Sequence, residues 1–327
     1  MSDLEASAVA RAAAALPAEL RDTPCIRSAW LSELVGHDVW LKLESLQPTH
    51  SFKVRGAFTA LRAGAATCAG GVVTASAGNH GAAMAWACAR DGVALTVFVP
   101  REAPRAKLVR IAASGARLQS VAGDYDAAER RGREFAAAHG LPFISPYNDP
   151  HVIAGAGTIV GEVLAQVPAT REIVVPLGGG GLASGAALAV RGTRPLPRLV
   201  AAEPAASPAF TTALRAGAIV PIEVGETIAD GLAGNIEPGS LTFDLVRQSG
   251  VCVVTVPEPA IRKAVADLLR EEHLVAEGAA AAAVAAVAAR AAAGTPEVTV
   301  VVLTGSNIDE RRLAALIGES GPPDQIS

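Results

Sequence analysis

The clearest indication of the fold is residues 71–90, Gly-Val-Val-Thr-Ala-Ser-Ala-Gly-Asn-His-Gly-Ala-Ala-Met-Ala-Trp-Ala-Cys-Ala-Arg. Residues 71–75 form a short apolar run that begins with glycine, which is typical of a buried strand. Residues 76–81 are small, polar or glycine and predict a loop. Residues 82–90 then predict a helix. A strand, a glycine-containing loop and a helix in direct succession form the first half of a β-α-β unit.

The same succession occurs along most of the chain. Parallel strands need long crossover connections, which are usually helices, and these crossovers are right-handed. The sequence therefore predicts the α/β class, with open and mostly parallel sheets and helices on both faces. The other predicted strands are residues 39–44, 94–99, 117–121, 141–144, 172–175, 199–202, 251–256 and 298–303; the other predicted helices are residues 6–20, 52–65, 106–113, 126–139, 156–166, 182–191, 259–273 and 277–293.

Length and composition limit the class of protein. A chain of 327 residues allows one large or two medium domains. The Pro/Asn/Asp-rich residues 146–150 are the clearest internal boundary, and residues 207–239 show little periodicity. The net charge of −4 provides no basic surface for nucleic acid, so nucleic-acid binding is excluded as the primary role.

The cysteines and the apolar segments predict a soluble cytoplasmic protein that does not enter a membrane. The four cysteines are far apart and form no Cys-x-x-Cys pair, which is typical of free thiols in a reducing compartment. Asp3, Glu5 and Arg11 do not fit a secretory signal. The alanine-rich residues 278–289 are too few to span a bilayer.

Positive charge in this chain comes mainly from arginine. The only lysines are Lys42, Lys53, Lys107 and Lys263. Chemistry that needs an amine able to lose its proton cannot use arginine, because a guanidinium stays charged. Lys53 follows an aromatic residue in Ser51-Phe52-Lys53 and is the best candidate for a reactive amine, although a surface lysine at a helix start is the ordinary interpretation of this segment alone.

Three loops that follow predicted strands are candidates for ligand binding, because ligands of open α/β sheets bind at the carboxyl ends of the strands. The run Gly178 to Gly181 precedes a helix and predicts either an anion site of backbone N–H groups or a tight turn. Ser76 to Gly81 could hold a carboxylate, or could be a turn with His80 as a surface ring. Thr304-Gly305-Ser306-Asn307 could place a hydroxyl against a heterocyclic nitrogen, or could be a polar turn.

Together these parts suit a pyridoxal-phosphate enzyme, which needs an amine, a phosphate site, a carboxylate site and a partner for its ring nitrogen. The chain resembles the fold-type II pyridoxal-phosphate enzymes, the tryptophan synthase β-like fold, and within them the serine/threonine dehydratase and serine racemase branch. The resemblance covers about residues 23–309 and rests on Ser51-Phe52-Lys53-x-Arg55-Gly56-Ala57, Ser76-Ala77-Gly78-Asn79-His80-Gly81, the four glycines and Thr304-Gly305-Ser306-Asn307, which occur in the order typical of the family.

The resemblance implies a role for each motif. Lys53 would form the Schiff base with pyridoxal 5'-phosphate and act as the general base. The cofactor would be held by Phe52 beside its ring, Asn79 at the phenolic oxygen, Thr304 at the pyridine nitrogen, the backbone of Gly231, and Gly178, Gly179, Gly180, Gly181 and Leu182 at the phosphate. The substrate carboxylate would be held by Ser76, Ala77, Gly78, Asn79 and His80.

The resemblance also implies an organisation and an activity. A large cofactor-binding domain would comprise residues 1–66 and 149–320, a small mobile domain residues 67–148, and a tail residues 321–327, in a homodimer. The expected reaction is dehydration and deamination of a β-hydroxy amino acid, L-threonine and/or L-serine, to a 2-oxo acid and ammonia.

Three positions depart from patterns of related enzymes. Racemases of this branch use a serine where this chain has Ala77, which favours the dehydratase. Sulfur-transfer relatives have threonine at the position of His80, which argues against cysteine synthesis. Many members bind a divalent cation through a glutamate and an aspartate six residues later; here Glu203 is followed at that distance by Ala209, which argues against a metal site.

Several alternatives stay open at this point. The chain could be a racemase of the same family, or a dehydratase for 3-hydroxyaspartate, phenylserine or a hydroxyectoine-derived amino acid. From another class, Gly178-x-Gly180-x-x-Ala183 with Glu203 some twenty residues later would fit an NAD-dependent oxidoreductase. A binding protein without catalysis is the third alternative, and its function would survive Lys53→Ala.

Overall fold

The structure is a computed structural model that describes residues 5–64, 66–290 and 298–319. Its chain divides into two compact units. The first comprises Met1–Asp22, Gln47–Glu162 and Gly179–Arg191, and the second comprises Thr23–Leu46, Val163–Gly178 and Gly192–Ser327. The domain boundaries implied by the resemblance stay a prediction, and the expected tail at 321–327 lies outside the described residues.

Helices and strands alternate through most of the chain, as the α/β prediction requires. The strands are β1 (Cys25–Ser28), β2 (Asp38–Leu43), β3 (Val72–Ala75), β4 (Leu95–Pro100), β5 (Arg117–Val121), β6 (Glu172–Pro176), β7 (Arg198–Pro204), β8 (Cys252–Val256) and β9 (Val298–Leu303). The helices are α1 (Ala6–Ala15), α2 (Ala29–Val35), α3 (Lys53–Ala63), α4 (Asn79–Asp91), α5 (Arg105–Ala112), α6 (Tyr125–His139), α7 (Pro150–Gln166), α8 (Gly181–Ala189), α9 (Ala209–Ala216), α10 (Leu241–Ser249), α11 (Glu258–Glu272), α12 (Gly278–Ala288) and α13 (Glu310–Glu319).

The first unit contains a parallel sheet in the order β3-β4-β5. Because side chains alternate across a strand, Val72 and Val73 face opposite sides. Val72 packs in a core with α3, α4 and α5, while Val73 packs with residues of α6. Helices therefore cover both faces of this sheet. Phe143 adds a single parallel bridge beside Val73, where a strand at 141–144 was predicted.

The second unit contains a six-stranded sheet in the order β1-β2-β9-β6-β7-β8. All its pairings are parallel except β1 with β2. Helix α12 packs against this sheet and is buried from Gly278 to Val287. Its small side chains permit a close approach, since a Cβ on Gly278 would lie 2.3 Å from the carbonyl oxygen of Ile228. The α/β prediction with mostly parallel sheets is confirmed.

The structure adds several elements that the periodicity did not predict. Strand β1 and helices α2, α9, α10 and α13 have no predicted counterpart, and α7 begins at Pro150 rather than at residue 156. The carboxylate of Asp149 accepts from the N–H groups of His151 and Val152, so it caps this earlier start. Within the described ranges no helix is both long and apolar enough for a membrane span.

Candidate active site

Lys53 lies at the first position of α3 in the first unit. Its Nζ donates to the carbonyl oxygen of Pro146 at 2.8 Å and lies 5.1 Å from the centre of the Phe52 ring. The side chain is only partly exposed, so its amine is reachable but not fully solvated. An amine in this setting can serve both as a nucleophile and as a base.

Helix α3 is fixed against α7 by close backbone packing and a buried ion pair. Arg55, which has no exposed surface, donates two hydrogen bonds to Glu162 at 2.6 and 2.9 Å. A Cβ on Gly56 would lie 2.9 Å from the carbonyl oxygen of Val152, and one on Gly155 would lie 2.6 Å from that of Arg55. Lys53 is therefore carried by a rigid helix and not by a mobile loop.

The loop after β3 leads directly into α4, which begins at Asn79 without a side-chain cap. The hydroxyl oxygen of Ser76 accepts from the N–H of Gly78 at 3.2 Å, so it orders the loop internally. Ala77 is partly buried. The loop thus presents backbone N–H groups at a helix N-terminus, which suits a carboxylate.

His80 is buried, with 2 % of its surface exposed, so the alternative that it is a surface ring is wrong. Neither ring nitrogen makes a hydrogen bond within ordinary limits to a described residue. Burial, and to a smaller extent the charge of Lys53, lower its pKa to about 3, while the backbone of Ile144 opposes the shift in part. The ring is therefore neutral at physiological pH.

Acid should destabilise the folded chain through His80. Because its folded pKa is lowered to about 3 from an unfolded value of 6.5, its stabilising contribution is complete above that unfolded value and is lost as the pH falls toward 3. Between pH 7 and pH 5 we expect a loss of about 2 kcal/mol from this residue. Urea unfolding at pH 7 and pH 5 measures the change in the free energy of unfolding. In His80→Asn this change should be smaller than in the wild type by the same amount, whereas the control His151→Asn, at an exposed position, should give the wild-type change. An equal change in all three chains would contradict the role of His80.

The four glycines are divided between the two units. In the first unit, Gly180 has a φ of +86° and precedes α8, which has no side-chain cap. A Cβ on Gly179 would lie 2.3 Å from Cγ of Tyr147, so the tyrosine ring directly contacts this glycine. Leu182 is buried in the first turn of α8. The loop presents its backbone at a helix N-terminus, as an anion site requires.

The second unit holds the other predicted cofactor contacts. A Cβ on Gly178 would lie 2.9 Å from Cα of Leu232 and 3.1 Å from the carbonyl oxygen of Gly231. Thr304 follows β9 and has 3 % of its surface exposed. The carbonyl of the next residue, Gly305, accepts from the N–H of Glu277 at 3.1 Å, which fixes the loop after β9.

Glu203 is buried at the end of β7 and caps the N-terminus of α9. Its two oxygens accept from the N–H groups of Phe210 at 2.9 Å and Thr211 at 2.8 Å. Burial raises its pKa, and these hydrogen bonds oppose the rise. Each oxygen thus accepts one backbone N–H at the start of α9, and the sixth residue onward, Ala209, has no side-chain ligand for a cation. Among the described residues no group of three or more His, Cys, Asp or Glu side chains could hold a metal ion.

The sequence did not identify Pro146 and Tyr147 as part of the site, because residues 146–150 suggested only a domain boundary. In the structure the Pro146 carbonyl contacts Lys53 and the Tyr147 ring contacts Gly179. A backbone carbonyl occurs at every residue and gives no residue-type signal. The Pro-rich composition was the one available sign of a fixed conformation there.

The first unit has the polar groups that pyridoxal phosphate would require. The buried polar atoms of this unit that make no hydrogen bond include the hydroxyl of Ser51, two residues before Lys53, and the ring nitrogens of His80, whose pKa the charge of Lys53 helps to lower. Buried polar atoms ordinarily find partners, so such atoms beside an amine indicate a polar ligand. The uncapped helix after Gly180 suits its phosphate. The residues present therefore fit this cofactor.

Comparison with known proteins agrees with this fit. The family model described as pyridoxal-phosphate dependent enzyme matches residues 17–305. The chain is 37 % identical over 299 residues to an L-threonine ammonia-lyase of Geobacter sulfurreducens, covering 91 % of this chain and 74 % of that protein. It is 34 % identical over 303 residues to an L-threo-3-hydroxyaspartate ammonia-lyase of Saccharomyces cerevisiae, covering 92 % and 93 %.

The fold agrees as well. The structure of maize serine racemase superimposes with a TM-score of 0.88 at 29 % identity, covering 96 % of this chain and 97 % of that chain. This likeness and the family match confirm the predicted fold type and cofactor. The family model covers most of the chain, and the relatives named above are more than 30 % identical to it. The chain therefore belongs to the family of pyridoxal-phosphate dependent enzymes.

Proposed function

We propose that this chain is an ammonia-lyase that dehydrates a β-hydroxy amino acid, L-threonine and/or L-serine, and, after uptake of one water, releases ammonia and a 2-oxo acid. The observation that carries the proposal is the amine of Lys53, held on a rigid helix in an enzyme of this family. The similarity to an L-threonine ammonia-lyase supports the choice of substrate.

We assign the residue roles as follows. Lys53 binds the cofactor and is the base, and Ser76, Ala77, Gly78, Asn79 and His80 form the carboxylate site. For His80 the contribution is its place in the first turn of α4, because its ring is buried. The remaining cofactor contacts are Phe52, Asn79, Gly178, Gly179, Gly180, Gly181, Leu182, Gly231 and Thr304.

The proton step belongs to Lys53. The bound cofactor supplies an electron-withdrawing group on the substrate nitrogen, which acidifies the hydrogen on Cα. Lys53 removes that proton as general base, the electrons of the Cα–H bond form the Cα=Cβ bond, and the β-hydroxyl leaves and becomes water with one proton. The released enamine becomes an imine in water, which hydrolyses to the 2-oxo acid and ammonia.

The test is a substrate panel combined with identification of the lysine that holds the cofactor. Purified protein is given L-threonine, L-serine, L-threo-3-hydroxyaspartate and phenylserine, and the 2-oxo acid is measured. Borohydride reduction followed by peptide mass spectrometry should place the cofactor on Lys53. Absence of 2-oxo acid from every substrate would contradict the proposal, and turnover of hydroxyaspartate alone would move it to the reaction named for the yeast relative.

A racemase is the second candidate, because the chain is similar to maize serine racemase. A racemase must reprotonate Cα from the face opposite Lys53, and the resemblance places Ala77 where that acid would be. An alanine has no proton to give. We therefore expect D-serine to be a minor product or absent.

Introducing the missing hydroxyl should bring out this second activity. Ala77→Ser should raise the rate of D-serine formation from L-serine by at least about tenfold, because a positioned acid or base contributes on the order of 10²–10⁴-fold. Chiral chromatography of the product measures it. Ala82→Ser, in the first turn of α4 and also partly buried, is the matched control and should leave D-serine unchanged. An equal rise in both variants would contradict the role of position 77.

We also propose a homodimer in the cytoplasm. The dimer rests on the resemblance, and the location rests on the free cysteines. The proposed division into residues 1–66 with 149–320 and residues 67–148 rests on the resemblance too. Light scattering on the purified chain tests the dimer, and a monomeric mass would contradict it.

A further inference from the structure

Residues 143–149, which we term the connector, join the sheet of the first unit to α7. The connector is held at its start by two bonds to β3. The N–H of Ile144 donates to the carbonyl of Val73 at 2.9 Å, and the hydroxyl of Thr74 donates to the carbonyl of Ile144 at 2.7 Å. Thr74 has no exposed surface, so this hydroxyl bond is protected from water.

The part of the connector after Ile144 has little conformational freedom. Ser145 precedes a proline, which restricts its backbone, and Pro146 has its φ fixed by its ring. The hydroxyl oxygen of Ser145 also accepts from the N–H of Asn148 at 3.1 Å, which closes a turn around Pro146. Few freely rotating bonds therefore separate the Ile144 carbonyl from the Pro146 carbonyl, so that a shift of the first should displace the second.

The Pro146 carbonyl is the acceptor for the amine of Lys53 at 2.8 Å. During the proposed reaction this amine is released when the substrate takes its place, and it must then reach the hydrogen on Cα. A carbonyl oxygen is a hydrogen-bond acceptor only, so it orients the amine through an N–H group and leaves the nitrogen lone pair available. The same carbonyl then stabilises the ammonium form after the proton has been taken.

We propose that Thr74 is a positioning residue, whose hydroxyl fixes the connector so that the Pro146 carbonyl orients the released amine of Lys53 for proton removal. The inference rests on the proposed function. It assigns no contact between Thr74 and the substrate. What it adds is a requirement for one buried hydroxyl on β3, at a position that precedes the Ser76 loop and belongs to none of the motifs that pointed to catalysis.

The variants separate the hydroxyl from the volume of the side chain. Thr74→Val keeps the shape and removes the hydroxyl, Thr74→Ala also removes it and serves if the valine variant does not fold, and Thr74→Ser keeps it. Thr170→Val is the matched control, because Thr170 is equally buried and its hydroxyl donates to the carbonyl of Val167 at 2.6 Å in the second unit. Thermal unfolding of all four variants and of the wild type shows how much each hydroxyl bond contributes to stability, separately from any effect on activity.

The first measurement is Cα–H cleavage in a single turnover of the holoenzyme, with α-protonated and α-deuterated L-threonine. Thr74→Val and Thr74→Ala should slow cleavage by at least about tenfold with a retained isotope effect, since a misplacement of 1 Å costs on the order of 100-fold. Thr74→Ser keeps the hydroxyl bond, so its cleavage rate should stay within about threefold of the wild-type rate. Thr170→Val loses a hydroxyl bond in the second unit only, so its cleavage rate should equal that of the wild type.

The second measurement needs no turnover. In the full chain freed of cofactor, labelling of Lys53 by acetic anhydride at fixed pH is compared by mass spectrometry with labelling of the exposed Lys263. In Thr74→Val, the ratio of Lys53 labelling to Lys263 labelling should differ from the wild-type ratio by at least about threefold. The reason is that a displaced Pro146 carbonyl no longer stabilises the protonated amine of Lys53. In Thr170→Val the ratio should be that of the wild type.

The proposal is overturned if Thr74→Val cleaves the bond and labels as the wild type does, or if Thr74→Ser is slowed as much as Thr74→Val. Failure of the proposed function gives a different result, because then the wild type itself forms no 2-oxo acid from L-threonine. In that case the labelling comparison still decides whether Thr74 positions Lys53.

Discussion

Lys53→Ala should lower the rate of 2-oxo acid formation by roughly 10³-fold or more, because general base catalysis alone contributes on the order of 10²–10⁴-fold and the covalent attachment is lost with it. Lys53→Arg should be equally inactive. An arginine retains the positive charge but does not give up its proton at physiological pH. Steady-state kinetics with saturating cofactor measures both variants.

The controls use the other features of the lysine site. Lys263→Ala removes an exposed lysine that pairs with Asp267 and should keep full activity. Added methylamine should restore part of the activity of Lys53→Ala, since a small amine can occupy the space and take the proton. Activity of Lys53→Ala close to that of the wild type would overturn the assignment of the base.

Glu162→Gln should strongly destabilise the folded chain, because it leaves the fully buried guanidinium of Arg55 without its carboxylate. Breaking a buried ion pair from one side costs about 3–5 kcal/mol, and in a chain of this length that corresponds to a fall in the thermal midpoint of roughly 5–10 °C. The holoenzyme of this variant should therefore unfold at a lower temperature than the wild-type holoenzyme. Calorimetry at matched cofactor concentration measures it.

A surface pair of the same type provides the comparison. Glu134→Gln breaks the pair of Arg131 and Glu134, whose side chains are 64 % and 54 % exposed, and should cost less than about 1 kcal/mol. If Glu162→Gln and Glu134→Gln unfold at the same temperature, the pair of Arg55 and Glu162 does not stabilise the folded chain by the expected amount. Replacing Arg55 and Glu162 together by Met and Leu should recover much of the loss, since no unpaired charge then remains.

The sequence predicted those parts of the fold that have a strong local signal. Strands such as β3 and β9 are continuous apolar runs, and their predicted bounds agree with the structure within one residue. Strand β1 was not predicted because Cys25-Ile26-Arg27-Ser28 is short, mixed in polarity and made a strand by pairing with β2. Its stability comes from that partner, which no local pattern reveals.

Helices outside the regular alternation were harder to predict. Helix α9 lies in residues 207–239, where polar and glycine residues obscure the periodicity. Its N-terminus is capped by the carboxylate of Glu203, which accepts from the N–H of Phe210. Helix α7 carries a capping Asp149 and a proline at its first position, which are start signals. They were attributed to a boundary instead. The start of this helix was therefore predictable, whereas the start of α9 depends on a tertiary contact.

The same distinction applies to the site. Lys53 and the Asn79 and Gly178 loops have the residue types that their proposed roles require, so a sequence pattern could propose them. The Arg55–Glu162 pair joins residues 107 positions apart, and the acceptor for Lys53 is a backbone carbonyl. Neither has a sequence signature. Their roles follow only from the distances in the folded chain.

The pairing of β2 with β9 has a consequence for synthesis on the ribosome. Asp38 of β2 pairs with Val298 of β9, which is synthesised long after it. The sheet of the second unit therefore cannot be completed until β9 has been made, whereas most of the first unit, within residues 47–191, is made before β9. Until then the nascent chain exposes the edge of β2 that will pair with β9, although the other edge can already pair with β1, and open strand edges are sites of aggregation and chaperone binding.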